Sequence, residues 1–317
     1  MKILITGGAG FIGSNLAKHL LDHPEVKLVR ILDNLSNGRM DNIREFLPDN
    51  RFEFVEGDIR NPETCLSACK DIDAISHQAA LGSVPRSIAH PDQTHDHNVN
   101  GFINMLEAAR AENIVRFVYA SSSSVYGDLT ESPKVEDRTG NVLSPYAASK
   151  MTNELYAEAY SRSYQMQLFG FRYFNVFGPK QDPDGPYAAV IPLFIKAALK
   201  DERPTINGDG TITRDFTPVE NVVQINTNAL LNSFEGAFHH PLNVACGQTT
   251  NLNELWSLIA EITECNLEPI HGPLRKGDIL HSLADVSKAQ KVLGYIPKTD
   301  LNNAMRETIA WYREHIA

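Results

Sequence analysis

The sequence predicts an α/β fold: a doubly wound parallel sheet with a smaller α/β lobe attached. Three observations predict it. Short β-branched runs alternate with longer amphipathic stretches through the first 175 residues, the pattern of βαβ units with helices on both faces of a sheet. A glycine-rich turn, Gly7 to Gly13, joins the first such run to the first amphipathic stretch. After Phe177 the composition shifts to a segment, Gly178–Pro186, with three prolines and three charges, followed by short helical patterns and loops. A chain of 317 residues is long enough for about two structural units.

In chain order, strands are expected at Lys2–Thr6, Leu28–Leu32, Arg51–Glu56, Ala74–His77, Arg116–Tyr119 and Leu168–Arg172. Between them, Ile12–Asp22 places Ile12, Leu16 and Leu20 on one face, and Val99–Arg110 does the same with Val99, Ile103, Leu106 and Ala109. Cys65 and Cys69 sit four apart in a further helical stretch. The second half offers helices at Ala189–Leu199, Val219–Ser233, Leu252–Ile262 and Leu301–His315, with Asn251 and Asp285 as N-caps. The stretches Val219–Ser233 and Leu242–Ala245 read as a return to the first sheet. The expected division is therefore discontinuous: 1–175 plus about 219–245 in one unit, and 176–218 plus 246–317 in the other.

Apolar residues make up 42% and charged residues 21% of the chain, which excludes disordered and fibrous classes. Lys and Arg number 29 against 39 Asp and Glu, a net charge of −10. Such a surface repels nucleic-acid backbones and anionic membranes, so neither is an expected partner. No apolar run reaches membrane-spanning length. The apolar Met1–Thr6 meets Gly7 without a cleavable core, so a cytoplasmic protein is expected. The four cysteines (65, 69, 246, 265) lack companion ligands at metal spacing and read as buried, reduced thiols. The His95-Asp96-His97 and His239-His240 clusters lack a third ligand and read as solvated, with His77 structural at a strand end.

Gly7, Gly10 and Gly13 follow a strand and open a helix. A pyrophosphate needs bare N–H groups at a helix N-terminus, and glycines let the backbone approach it. The second strand ends at Asp33, 20 residues after Gly13, where a carboxylate can bind the hydroxyls of an adenosine ribose and repel a 2′-phosphate. The pair of signals predicts a dinucleotide site for NAD rather than NADP. Asp58, at the end of the third strand, can meet an adenine amino group, although an Asp there is commonly a cap.

Tyr146 and Lys150 are four apart after Pro145, a residue suited to start a helix, and so share one face. Such pairs are common. This one is preceded by Ser121-Ser122-Ser123-Ser124 at a strand's C-terminal end, the edge where parallel sheets bind ligands. A phenol of pKa about 10 needs roughly 4 kcal/mol of preferential phenolate stabilisation to act as a base near pH 7. A neighbouring ammonium and the positive nicotinamide ring can supply it, and a serine hydroxyl can hold or relay the proton.

Together the Gly7–Gly13 motif, Asp33, Ser122, Tyr126-Gly127 and Tyr146-x-x-x-Lys150 resemble the extended short-chain dehydrogenase/reductase family, a Rossmann-fold group. The resemblance covers nearly the whole chain. It continues through Arg172-Tyr173-Phe174-Asn175, Arg214-Asp215-Phe216 and Arg275-Lys276-Gly277-Asp278, which are similar to motifs of nucleotide-sugar epimerases. The resemblance implies that NAD is held by Gly7, Gly10, Phe11, Ile12, Gly13, Asp33, Asn34, Ser36, Gly38, Asp58, Ile59, Gln78, Ala79, Tyr146, Lys150 and Tyr173. It implies catalysis by Ser122, Tyr146 and Lys150. Asn175, Arg214 and Arg275 would hold the substrate pyrophosphate, and Asp278 the nucleotide ribose; two cationic forks suit two phosphates.

Relatives that eliminate water or CO2 carry acidic residues after the catalytic serine. Here Ser123 and Ser124 occupy those positions, leaving reversible oxidation at one carbon as the simplest reaction. Relatives restricted to glucose and galactose carry tyrosine where this chain has Ser282. A serine there leaves room beside C2, or is an ordinary loop residue. The run Gly82–Ser87 with Ser122–Ser124 resembles UDP-N-acetylglucosamine 4-epimerases, and hydroxyls at 83, 123 and 124 suit an N-acetyl group. The expected reaction is C4 epimerisation between UDP-N-acetylglucosamine and UDP-N-acetylgalactosamine. Tyr146 takes the C4 hydroxyl proton through Ser122, C4 is oxidised with bound NAD, and the 4-keto sugar turns before reduction. The alternatives are a 4-epimerase of UDP-glucose or UDP-glucuronate, or a non-catalytic sensor on the same scaffold. The apolar faces of Val99–Arg110 and Tyr146–Tyr160 exceed what one core needs, and the resemblance implies a homodimer.

Overall fold

The computed structural model describes residues 1–185, 188–273, 281–298 and 300–315. Six strands and six helices fill the first 173 residues: β1 (Lys2–Thr6), α1 (Phe11–Asp22), β2 (Leu28–Asp33), β3 (Phe52–Glu56), α2 (Pro62–Cys69), β4 (Ala74–His77), α3 (Val84–Ala89), α4 (Pro91–His95), α5 (Gly101–Ala111), β5 (Arg116–Ser122), α6 (Pro145–Tyr164) and β6 (Gln167–Tyr173). Then follow β7 (Val176–Phe177), α7 (Val190–Leu199), β8 (Thr205–Asn207), β9 (Thr213–Arg214), β10 (Thr217–Pro218), α8 (Val219–Leu231), β11 (Phe238–Val244), β12 (Thr250–Asn251), α9 (Leu252–Thr263), β13 (Ile270–Gly272), α10 (Ser287–Leu293) and α11 (Leu301–His315).

Seven strands form one sheet in the order β11-β6-β5-β4-β1-β2-β3, every neighbouring pair parallel. The doubly wound parallel sheet is as the sequence predicts. Strand order reverses between β1 and β4, the switch point where open α/β sheets bind ligands. Alternation along β1 builds both faces: Ile3 and Ile5 pack with α1 and α8, while Leu4 packs with α5 and α6. A third core, including Phe194, Trp256 and Ile309, lies among α7, α9 and α11.

Several elements differ from the sequence reading. β5 runs to Ser122 rather than Tyr119, because Ala120, Ser121 and Ser122 continue pairing with Phe171, Arg172 and Tyr173. The expected helix over Val99–Arg110 starts as a π-helical turn, Asp96–Asn100. That turn carries Asn98, whose amide brackets the Leu81 backbone, accepting from its N–H at 2.7 Å and donating to its carbonyl at 3.1 Å. Asn251 caps α9 in a full capping box. Asp285 stands one residue outside the geometric N-cap of α10, Val286, yet its carboxylate accepts from the Ser287 N–H at 2.8 Å. Cys65, Cys69 and Cys265 are buried free thiols, whereas Cys246 is half-buried.

Phe102 is fully buried with its ring centroid 5.1 Å from that of Tyr119 and 5.8 Å from that of Phe117. Phe102→Ala should cost about 3–5 kcal/mol, read as a lowered urea midpoint; a loss below 1 kcal/mol would show that this layer is not the core it is described to be.

Candidate active site

The turn after β1 is shaped by contacts that only glycine permits. Gly7 has φ +68°, and a Cβ there would lie 2.6 Å from the Ala79 nitrogen at the end of β4. On Gly13 a Cβ would lie 2.3 Å from the Gly7 carbonyl oxygen and 2.6 Å from the Gly8 Cα. No side chain caps the N-terminus of α1, so its first amides and the positive end of its dipole are left for an anion. Asp33 closes the opposite end. Its carboxylate accepts from the Ala9 N–H at 2.9 Å and the Leu35 N–H at 2.8 Å, and burial pushes its pKa up against those donors.

These residues line a cavity of about 810 Å³. Of the residues expected to hold the cofactor, Gly7, Gly10, Phe11, Ile12, Gly13, Asp33, Asn34, Ser36, Gly38, Ile59, Gln78 and Ala79 are all in its wall, and Ser83 joins them. Bare helix amides, a ribose-height carboxylate and the absence of room for a Cβ fit a dinucleotide. Asp58 is not in the wall: Arg60 grips its carboxylate at 2.8 and 3.0 Å and Asn34 donates to it at 2.8 Å, which holds its pKa well below the usual range. Tyr173 also stands behind the wall. Its phenol donates to Gln78 at 3.2 Å and accepts from Asn226 at 2.9 Å, so it orients a wall residue. Sequence reading missed the strap formed by Lys180, Gln181 and Asp182, which walls the cavity and is tied to the glycine-loop side by Arg39–Asp182 at 2.8 Å and Lys180–Glu45 at 3.0 Å. The partners lie more than 130 positions apart, so no local pattern reveals them.

Ser122, Tyr146 and Lys150 meet at the C-terminal edge of the sheet, beside this cavity rather than in its wall. Ser144 caps α6 by accepting from the Ala147 N–H at 3.1 Å, with Pro145 in the first turn. This puts Tyr146 on the first turn and Lys150 on the second. The Lys150 ammonium is buried, lies 6.0 Å from the Tyr146 ring centre, and donates to the Ala120 carbonyl at 2.8 Å. Burial lowers its pKa to about 8. The phenol departs from the sequence argument: burial raises the Tyr146 pKa, and the Ser122 hydroxyl is the side chain that opposes the rise. The side chains around Tyr146 therefore do not by themselves make it a base near pH 7. Ser123 and Ser124 continue in a 3-10 turn whose N-cap is Ser122, with the Ser124 hydroxyl donating to that of Ser122 at 2.9 Å.

The expected substrate side converges on Arg214-Asp215. Asn175 donates to the Asp215 carbonyl at 3.0 Å, the Ser282 N–H donates to the Thr213 carbonyl at 3.3 Å, and Arg214 donates to that same carbonyl at 2.9 Å. Asp215 is fully buried and accepts from the Cys246 and Gly247 amides at 2.9 and 3.0 Å, while burial lifts its pKa to about 6. Arg275 and Asp278 lie outside the described residues. Among the described residues no cluster of His, Cys, Asp and Glu could hold a metal. His239, expected to be solvated, has its side chain only 4% exposed: its Nε2 lies 2.7 Å from the Tyr119 hydroxyl and its Nδ1 3.2 Å from Glu158. His77 is buried at the end of β4 with its pKa lowered to about 3 by burial, and its Nδ1 lies 2.8 Å from the Thr6 hydroxyl.

Gly13→Ala should weaken NAD binding about tenfold or more, at least ~1.4 kcal/mol, because its methyl group would collide with the Gly7–Gly8 backbone of the turn; titration calorimetry showing unchanged affinity would contradict this. Asp215 gives a pH signature. Its folded pKa of about 6 exceeds its ordinary 3.8, so its protonated form favours the fold at low pH and that contribution is lost as pH rises through 6. Relative to wild type, Asp215→Asn should therefore gain about 2 kcal/mol between pH 4 and pH 7. A wild-type-to-variant difference that stays constant across that range in urea unfolding would rule it out.

Comparison with known proteins fits this geometry. Residues 3–245 match the NAD dependent epimerase/dehydratase family. A putative UDP-glucose 4-epimerase of Methanocaldococcus jannaschii is 38% identical over 315 residues, 99% of each chain. A UDP-N-acetylglucosamine 4-epimerase of Methanobrevibacter ruminantium, solved with UDP-N-acetylmuramic acid, superposes with a TM-score of 0.92 at 36% identity, covering 99% of this chain and 98% of that one. A UDP-glucose 4-epimerase of Thermotoga maritima, solved with UDP-glucose, gives a TM-score of 0.92 at 32% identity over 100% of both chains. The glycine turn, the acidic end of β2 and the Ser–Tyr–Lys group thus stand in a chain that belongs to the NAD dependent epimerase/dehydratase family.

Proposed function

We propose that this chain is an NAD-dependent UDP-sugar 4-epimerase that interconverts UDP-N-acetylglucosamine and UDP-N-acetylgalactosamine through a 4-keto intermediate. The observation that carries the reading is the grouping of Ser122, Tyr146 and Lys150 beside a dinucleotide cavity, with serines and no carboxylate at 123 and 124. An enzyme that removes water or CO2 needs a further acid there; one that oxidises and re-reduces a single carbon does not.

NAD held by the wall residues supplies the redox chemistry at C4, and its positive ring adds to the charge that favours a Tyr146 phenolate. Tyr146 then exchanges the C4 hydroxyl proton, with Ser122 holding the substrate oxygen and Lys150 fixing a positive charge one turn away. In this proposal residues 1–175 with about 219–245 bind the cofactor, and 176–218 with 246–317 bind the UDP-sugar. Asn175 and Arg214, with Arg275, grip the pyrophosphate, and Asp278 the ribose. The oxidised sugar can turn about that anchored pyrophosphate to present its other face. Ser282 beside Thr213 leaves space for an N-acetyl group, which Ser83, Ser123 and Ser124 can reach by hydrogen bonding.

The protein is read as a cytoplasmic homodimer. Of the two stretches expected to form its contact face, Val99–Arg110 turns its apolar side chains inward, with Val99, Leu106 and Ala109 buried, so the face proposed is α6 with its neighbour α3. Leu155 is 66% and Ile88 64% exposed, with Tyr156 and Val84 beside them, an apolar surface that a second copy would cover. Among the described residues, no helix is long and apolar enough to cross a membrane.

A second reading, epimerisation of UDP-glucose and UDP-galactose, is favoured by the Methanocaldococcus jannaschii and Thermotoga maritima relatives, a putative and a solved UDP-glucose 4-epimerase. Incubating the purified protein with each sugar and no added NAD separates the readings. UDP-N-acetylgalactosamine should form, with kcat/KM higher for the acetylated sugar, and Ser282→Tyr should invert that preference. A preference for UDP-glucose in wild type would favour the second reading. An absolute need for added stoichiometric NADH would reject epimerisation altogether. Tyr146→Phe should fold, keep NAD and lose about 10²–10⁴-fold in kcat; full activity would remove Tyr146 from the mechanism.

A further inference from the structure

Tyr146, Lys150, Glu154 and Glu158 follow one another at intervals of four along α6, a spacing that keeps them on one stripe of the helix. The last three are each tied to the sheet beneath, and to successive residues of β5. Glu158 reaches Tyr119 through His239, at 3.2 and 2.7 Å. Lys150 donates to the carbonyl of Ala120 at 2.8 Å. Glu154 accepts from the Ser121 hydroxyl at 2.6 Å. The next residue is Ser122.

Glu154 is the strongest of these ties. Arg172 on β6 donates to both of its oxygens, from Nε at 2.9 Å and Nη2 at 2.7 Å. Arg172 is itself fixed by donating to the Glu136 carbonyl at 3.0 Å and lying over the Tyr126 ring at 4.9 Å. Ser121, Glu154 and Arg172 are 2%, 5% and 3% exposed. A buried pair of this kind adds little stability over well-packed apolar residues, and a bidentate fork adds what apolar contact lacks, a fixed distance and direction.

We propose that Glu154, clamped by Arg172 and Ser121, is a positioning residue that sets the register of α6 on β5 and thereby the placement of the Tyr146 hydroxyl against Ser122. The inference rests on the functional reading above, in which those two hydroxyls share the substrate proton. It predicts an effect on turnover that is separate from folding and from ligand binding.

Removing Glu154 alone leaves the Arg172 charge buried and can unfold the chain, so the test uses two other variants. Glu154→Leu/Arg172→Met replaces the pair by apolar side chains, and Ser121→Ala removes one hydroxyl from the node. Both are assayed with UDP-N-acetylglucosamine for kcat and KM, for bound NAD, and for melting temperature. The double variant should fold and keep NAD, with KM within about twofold and kcat down on the order of 10²-fold; Ser121→Ala should lose about fivefold in kcat. A kcat within twofold of wild type in either folded variant overturns the proposal. If the double variant does not fold, Ser121→Ala decides. A crystal structure of whichever variant folds separates this claim from the functional one: α6 shifted along β5, with Tyr146 displaced from Ser122, supports the register role, and an unmoved helix overturns it. A wild type inactive on every UDP-sugar counts against the functional reading alone.

Discussion

The architecture depends on the close approach of two backbones at the switch point of the sheet. The turn after β1 and the end of β4 come within a distance that no side chain at Gly7 can share with Ala79, and the first turn of α1 rests on the same loop through Gly13. Because no side chain intrudes, the amides at the start of α1 face a cavity, and the strand ends on either side supply its walls. Asp33 reaches that cavity only because β2 lies next to β1 and its carboxylate is locked by the amides of Ala9 and Leu35. A polyanion is repelled by the average charge of the chain, yet this concave site is built for a small anion.

The proposed chemistry sits on a second junction, where α6 crosses the ends of β5 and β6. Here the interior is polar: Ser121, Glu154 and Arg172 are buried together, with Lys150 on the neighbouring carbonyl. Burial pulls the Tyr146 and Lys150 pKa values in opposite directions, the phenol up and the ammonium down to about 8. Both shifts disfavour charge in the protein alone. In the proposed mechanism a bound cofactor with its own positive charge would alter that balance and link base strength at Tyr146 to cofactor loading.

Much of this was legible in the sequence where the signal is local. The glycine turn, Asp33 and the Tyr146–Lys150 spacing each carry their chemistry within a few residues or one βαβ unit, and the capping box at Asn251 needs only four. What was not legible depends on pairing across the fold. β5 extends to Ser122 because β6 offers partners that far, a fact invisible in β5 itself. His239 reads as a solvated histidine until β11 lies beside β6 and α6 covers it. The hydrogen bond that Asn34 donates to Asp58 exists only because β2 lies beside β3 and brings the two strand ends together. The Arg172-Tyr173-Phe174-Asn175 motif gives no hint that its arginine is paired with Glu154 of the preceding helix.

The central claim is that one carbon of the sugar is oxidised and restored in place. The most direct measurement follows deuterium placed at C4 of UDP-N-acetylglucosamine. The account predicts UDP-N-acetylgalactosamine that keeps the deuterium at C4, in ordinary water and with no added cofactor. Deuterium lost to solvent, or found at C6, would contradict it.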